Sequence, residues 1–184
     1  YPNGFEPTFH TERLTDVQKC KKGDKVFVSS MGDIMGEWVP AKWINTVIDV
    51  VSSRPDVVFQ FLTKNPKRYA RFRFPNNAWL GATMDGDKRL CENAVEFLND
   101  DIPNIRFLSI EPLLPGQYPT PTELSKADWI IIGAMTGPGA KPYDHDLLRG
   151  FLMNSIVSSV PLFIKDSIKL NHQCRQFPFY TEGL

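Results

Sequence analysis

No apolar run in this sequence approaches the roughly 18–20 residues that a helix needs to cross a bilayer, and no secretory leader is visible. Neither sign of charge is in excess: 21 Lys and Arg balance 21 Asp and Glu. No global field therefore draws the chain to nucleic acid or to an anionic membrane, although a local basic patch stays open. Cysteine is scarce. Cys20, Cys91 and Cys174 lie far apart and form no C-x-x-C pair, which argues against a disulfide framework and offers neither a zinc nor a cluster motif. The odd, dispersed set points to a reducing compartment, the cytoplasm. His10, His145 and His172 have no metal-ligand spacing and read as ordinary surface or core residues, so no metal site is expected. No G-x-G-x-x-G follows an apolar run, and no G-x-S-x-G or cysteine–histidine arrangement supports nucleophilic hydrolysis.

What the chain does contain is alternation. Short apolar runs fall at residues 25–29 (KVFVS), 57–62 (VVFQFL), 78–82 (AWLGA), 105–110 (IRFLSI), 129–132 (WIII) and 161–164 (PLFI). Between them lie helical patterns. One opens at Pro40, a residue suited to the first helical position, with Trp43, Ile44, Val47, Ile48 and Val51 on one stripe. A short helical stretch opens at Pro66. A helix over 87–99 gathers Leu90, Ala94, Phe97 and Leu98, with Cys91 beside them. Another, over 144–158, turns Leu147, Leu148, Phe151, Leu152 and Ile156 inward. Pro112, Pro115, Pro119 and Pro121 forbid a continuous helix between the fourth and fifth runs. Strands alternating with helices imply right-handed crossovers and a mostly parallel sheet. The units are too few for a closed eight-stranded barrel. The expected fold is α/β, a partial or incomplete TIM-like (β/α) barrel, with a doubly wound sheet as the competitor. A single domain covers 1–184. The opening Tyr1 reads as the interior of a longer protein whose distal part this is; a cleaved tag or processed terminus is the alternative.

In parallel α/β folds the chemistry gathers where strands end, and here nearly every run ends in polar residues. Asp33 suits a ligand amine, or the cap of a helical turn at 34–38. Glu111 suits a ribose hydroxyl or a proton, or a salt bridge to a strand-end lysine. Lys64 and Lys165 suit a carboxylate or phosphate, or structural pairs with Glu111 or Asp33. Thr83 and Ser109 end their runs with hydroxyls. In GAMTGPGAKP the glycines, Gly133 first, either let backbone approach a ligand or simply make a turn. The segment KNPKRYARFRF interleaves Lys64, Lys67, Arg68, Arg71 and Arg73 with aromatic residues. That spacing suits phosphates and stacked bases, and equally a solvated helix face with inward rings.

Seven strings, GFEPTFHTERL, FVSSMGDIMGEWVP, FQFLTKNPKR, WLGATMD, RFLSIEPLL, DWIIIGAMTGPGAKP and PLFIKD, occur in the order seen in a phage-associated family of unknown role, named after two phage gene products and placed with the radical SAM superfamily. The chain resembles that family over almost its whole length. The resemblance implies a radical-SAM-like partial barrel. Three cysteines upstream of this chain would hold a [4Fe–4S] cluster, and the cluster would bind S-adenosylmethionine and generate a 5′-deoxyadenosyl radical that abstracts hydrogen from a substrate of unknown class. Met31, Gly32 and Asp33 would receive the methionine amino group. Thr83, Ser109 and Glu111 would lie nearer the ribose or substrate, and Gly133 would flank the adenine. The chain departs from the pattern at Asn65, where many members have arginine, and at Lys165-Asp166-Ser167, where many have lysine–glutamine–tryptophan. The resulting expectation is the distal portion of a radical-SAM-like enzyme, inactive as this chain alone, with Glu111 and Lys165 as catalytic groups and Lys64 beside the cofactor. The rivals are a non-catalytic ligand- or nucleic-acid-binding module on the same scaffold and a cluster-independent α/β enzyme using Glu111 and Lys165 as acid and base.

Overall fold

The structure, a computed structural model, describes residues 6–170 and 173–178; Tyr1 and His172 lie outside them. Six strands, β1 (Lys25–Phe27), β2 (Val58–Thr63), β3 (Ala78–Met84), β4 (Arg106–Ile110), β5 (Trp129–Ile132) and β6 (Leu162–Ile164), make one sheet. All are parallel, and their spatial order is their sequence order. Each connection therefore steps to the next strand in one direction. With right-handed crossovers, that places every helix on the same side. The sheet is thus a half-barrel, and the doubly wound alternative, which reverses strand order at a switch point, is excluded.

The two faces are built differently. The outer face packs Phe59, Phe61, Leu80, Ala82, Leu108, Ile110, Ile130 and Ile164 against the helices α1 (Ala41–Ser52), α2 (Lys88–Asn99) and α4 (His145–Ser158) in one buried cluster. A short helix α3 (Pro121–Leu124) is held by a capping box between Thr120 and Glu123. The inner, concave face carries a separate cluster of Val58, Trp79, Phe107 and Trp129, with no helical residue in it. Strand alternation produces this split, since residues two apart share a face.

Local chemistry sets the element ends. Asp87 and Asp144 cap α2 and α4 by accepting from the amides of Leu90 and Leu147. Pro40 precedes α1 as its cap rather than serving as its first residue. The first apolar run is strand only as far as Phe27; the Val28 amide still donates to the Gln60 carbonyl, and Ser29 then turns the chain at φ 59°. The run from Ala78 continues as strand to Met84. Residues Thr11–Lys19 form a 3-10 helix that the polar opening did not announce. Ile156 is the clear correction: it is 73% exposed rather than inward. Leu148 and Phe151 are buried on α4, Leu147 and Leu152 pack partly buried against the same core, and toward the helix end the buried residues are the polar Asn154 and Ser155. Beyond β6, residues 174–176 fold back antiparallel: the amide of Ile164 donates to the Cys174 carbonyl, that of Gln176 to Leu162, and Phe163 bridges Arg175.

Candidate functional site

The strand registers stack the concave face in rungs. Gly81 of β3 lies beside Phe107 of β4, which lies beside Trp129 of β5. A Cβ at Gly81 would meet the Phe107 ring at 2.3 Å, so the glycine makes room for that ring. One rung toward the strand ends come Thr83, Ser109, Ile131 and Phe163. The last rung holds Glu111, Gly133 and Lys165: the Gly133 amide donates to the Ile110 carbonyl and the Lys165 amide to that of Ile132. The face thus passes from aromatic to charged within two rungs.

On that last rung Glu111 and Lys165 stand on either side of a residue without a side chain. A Cβ at position 133 would lie 2.3 Å from Glu111 Oε1. The glutamate crosses this gap, and its Oε2 takes Lys165 Nζ at 2.7 Å and the Ser109 hydroxyl at 2.9 Å. Both ionic side chains remain partly exposed, 27% for Glu111 and 48% for Lys165. An ion pair this wet contributes only about 0.2–1 kcal/mol. Stability alone is a poor reason for it, and a ligand's charges can exchange for it cheaply.

Two joined lobes open beside this rung. The upper, about 370 Å³, is lined by Glu111, Thr136, Lys165, Asp166, Ser167 and Arg175, with Ala134 and Phe163. The lower, about 360 Å³, runs down the concave face past Gln60, Leu62, Phe107, Trp129, Ile131 and Phe163 to Lys25, Phe27 and Phe177. Glu111, Phe163 and Lys165 belong to both. Phe177 closes the lower end: its ring lies 5.3 Å from Trp129 and 5.5 Å from Phe163, and Lys25 Nζ sits 4.9 Å over it. The Trp129 indole fixes this arrangement by donating to the Gln176 carbonyl at 2.8 Å.

The remaining expected residues lie on the same edge but outside these lobes. Asp33 is occupied in tying the loop after β1 to the end of β2. Its carboxylate accepts from the Met35 amide, the Thr63 hydroxyl and the Lys64 amide, each at 2.9 Å. Of its two expected roles the capping one is therefore present, extended to the next strand. Lys64 Nζ reaches Asp85 at 3.5 Å rather than Glu111 or Asp33. Met31 is 83% exposed at the turn's tip, and the Gly32 amide donates to the Ser29 carbonyl. The carbonyls of Ser30, Met31 and Gly32 accept no hydrogen bond among the described residues. Thr83 is half-buried on the concave side of β3.

The basic segment is largely consumed by structure. Arg68 is buried and donates to the carbonyls of Gly36 and Val39. Lys67 pairs with Glu96 at 2.7 Å and Arg71 with Glu37 at 3.4 Å. Its rings pack inward: Tyr69 is buried beside Phe74 and Phe97. Burial pushes the Tyr69 phenol well above its ordinary range, and the hydroxyl donates to the Gly81 carbonyl at 3.0 Å. Cys91 is buried on α2, where burial raises its thiol pKa and disfavours a thiolate. Among the described residues no three His, Cys, Asp or Glu side chains gather as a metal site. No helix there is long and apolar enough to cross a membrane.

Sequence reasoning missed the lower lobe. Period-two alternation could have found Gln60 and Phe163. Nothing local announces Arg175 and Phe177, because the fold-back beyond β6 brings them there. The family model described as "Protein of unknown function (DUF5131)" matches residues 3–175, and the chain belongs to that family. No curated protein and no solved structure matches it.

Proposed function

We propose that this chain is the distal half-barrel of a radical-SAM-like enzyme, with the cofactor on the β1–β3 side of the strand ends and the substrate on the β4–β6 side. The observation that carries the proposal is the rung of Glu111, Gly133 and Lys165, set at the C-terminal ends of a singly wound parallel sheet and open to a cavity. In barrels of this kind those ends carry the active site. The family resemblance of the seven strings supplies the reaction class.

The implied groups fit unequally. S-adenosylmethionine suits the turn at residues 30–32, whose free carbonyls can accept from its ammonium. The iron–sulfur cluster does not fit the described residues, which offer no ligand set, so its thiolates would have to come from elsewhere. When bound, the cofactor pair supplies hydrogen-atom abstraction. The chain's own residues do the positioning. Asp33 holds the cofactor turn against β2 through Thr63. Glu111 Oε2 can take a substrate proton or hydroxyl in place of Lys165, and Lys165 then neutralises an anionic substrate group.

Anaerobic reconstitution of the full gene product tests the proposal. A four-iron cluster and reductant-dependent release of 5′-deoxyadenosine are expected. A full gene product that holds no cluster would overturn it, in favour of a cluster-independent enzyme or a binding module on the same scaffold.

A further inference from the structure

The upper lobe presents two cations and two carboxylates already matched as neighbours, Lys165 with Glu111 and Arg175 with Asp166. The charges cancel. A ligand of one sign can replace only one member of each of these exposed pairs, and the exchange itself is cheap. A ligand carrying both signs can substitute for both halves at once. Two further groups are ready for its carboxylate. The Ser167 hydroxyl oxygen accepts from the Ala134 amide at 3.0 Å and so keeps its own proton to donate, and Thr136 lines the same wall.

Directly below, the chemistry changes without a break. Phe163 belongs to both lobes, and its ring lies 6.1 Å from Trp129 and 5.5 Å from Phe177. Phe107 and Trp129 follow at 5.6 Å. These rings pack on one another and together line the apolar wall of the lower lobe, against which a further ring can lie edge-on or offset. Each lobe has a volume within the range of about 300–1,000 Å³ usual for small-molecule sites.

We infer that the site takes a free α-amino acid with an aromatic side chain: the ammonium and carboxylate exchange for the Glu111–Lys165 and Asp166–Arg175 pairs, and the ring enters the lower lobe. The inference names the substrate class for the β4–β6 side and so rests on the proposal that this edge is the ligand site. It does not require the cofactor to be bound.

Calorimetry and tryptophan fluorescence on this chain decide it, with L-phenylalanine, phenylacetate, phenethylamine and L-alanine as probes. L-Phenylalanine is expected to bind at least about tenfold more tightly than each of the other three, since one lost charge-assisted contact, or for alanine the lost burial of the ring, is enough for that ratio. Arg175→Leu and Glu111→Gln should each erase the preference over one singly charged analogue, phenethylamine and phenylacetate respectively. Phe177→Ala should weaken phenylalanine but not alanine. Circular dichroism checks that each variant is folded. Phenylacetate binding as tightly as phenylalanine would make this an anion site, and equal binding of alanine would remove the aromatic lobe. No binding at millimolar concentration overturns the inference outright. A full gene product without a cluster would strike the cofactor proposal while leaving phenylalanine binding intact, so the two failures are distinguishable.

Discussion

Glu111 and Lys165 stand on strands that are not neighbours, and they touch because Gly133 between them leaves the gap empty. The pair is a product of register: Ile110 lies beside Ile132, and Ile132 beside Ile164, so the residues that follow form one row.

Gly133→Ala is accordingly expected to destabilise the fold by about 1–3 kcal/mol, the usual cost of forcing extra volume into a packed position. Because the collision is with the Glu111 carboxylate, Glu111→Ala should relieve it. Urea unfolding of both single variants and the double variant measures the coupling, expected at about 0.5–3 kcal/mol. Simple additivity would mean that Gly133 is required for its backbone alone.

Asn77 predicts a comparable effect away from the site. It is 4% exposed, and its amide nitrogen lies within 3.1 Å of three carbonyls, those of Val51, Arg54 and Val57. Two hydrogens are shared among three acceptors that end α1 and lead into β2. Asn77→Ala should cost about 1–3 kcal/mol, the penalty for buried groups left unsatisfied. Asn77→Asp should cost more, since it sets an acceptor against acceptors. Equal midpoints for the wild type and Asn77→Ala in chemical denaturation would refute this.

Acid should act through Asp56. The Arg54 guanidinium donates to both its carboxylate oxygens, at 2.8 and 2.9 Å, and holds its pKa below the ordinary carboxylate value. The same guanidinium reaches the carbonyls of Val17 and Cys20, so the pair fastens the 3-10 helix to β2. A depressed folded pKa gives stability that is present above the unfolded value and lost as pH falls through the folded one. Asp56→Asn should remove that part of the acid sensitivity. Melting temperatures of both proteins between about pH 6 and about pH 2 test it; parallel curves would show that other carboxylates govern acid unfolding.

Nucleic acid should bind weakly. With Lys67 and Arg71 paired and Arg68 buried, few cations of the basic segment are free to release counterions from phosphates. Single-stranded DNA and RNA are expected to show a shallow salt dependence, changed less than about twofold by Lys67→Ala with Arg71→Ala. A steep slope lost in that double variant would restore a nucleic-acid role.

The order and type of the six strands and of α1, α2 and α4 were legible because each strand is a short apolar run and each of these helices a stripe at helical spacing; the 3-10 helix at Thr11–Lys19 and the short α3 were not. Glu111 and Lys165 were legible as strand-end residues for the same reason. Their pairing across Gly133 was not, since it depends on register over three strands, and no local pattern encodes register. Asp33 shows the opposite case: both of its expected roles fit the sequence, and only Thr63 and Lys64, about 30 residues away, separate them. Ile156 misled because its spacing matches the inner stripe of α4, whereas the residues buried toward that end are the polar Asn154 and Ser155.

The fold-back after β6 gives the sheet a direction of growth. Residues 174–176 occupy the hydrogen-bonding side of β6 in antiparallel sense and seal it against further parallel pairing. At the other extreme, Asp24 and Val28 turn their groups toward β2, so by the alternation of a parallel ladder Lys25 and Phe27 turn theirs away. Among the described residues no strand meets them. The half-barrel is a template with one live edge, two residues long in bonding terms, and any strand that extends it takes its register from Lys25 and Phe27.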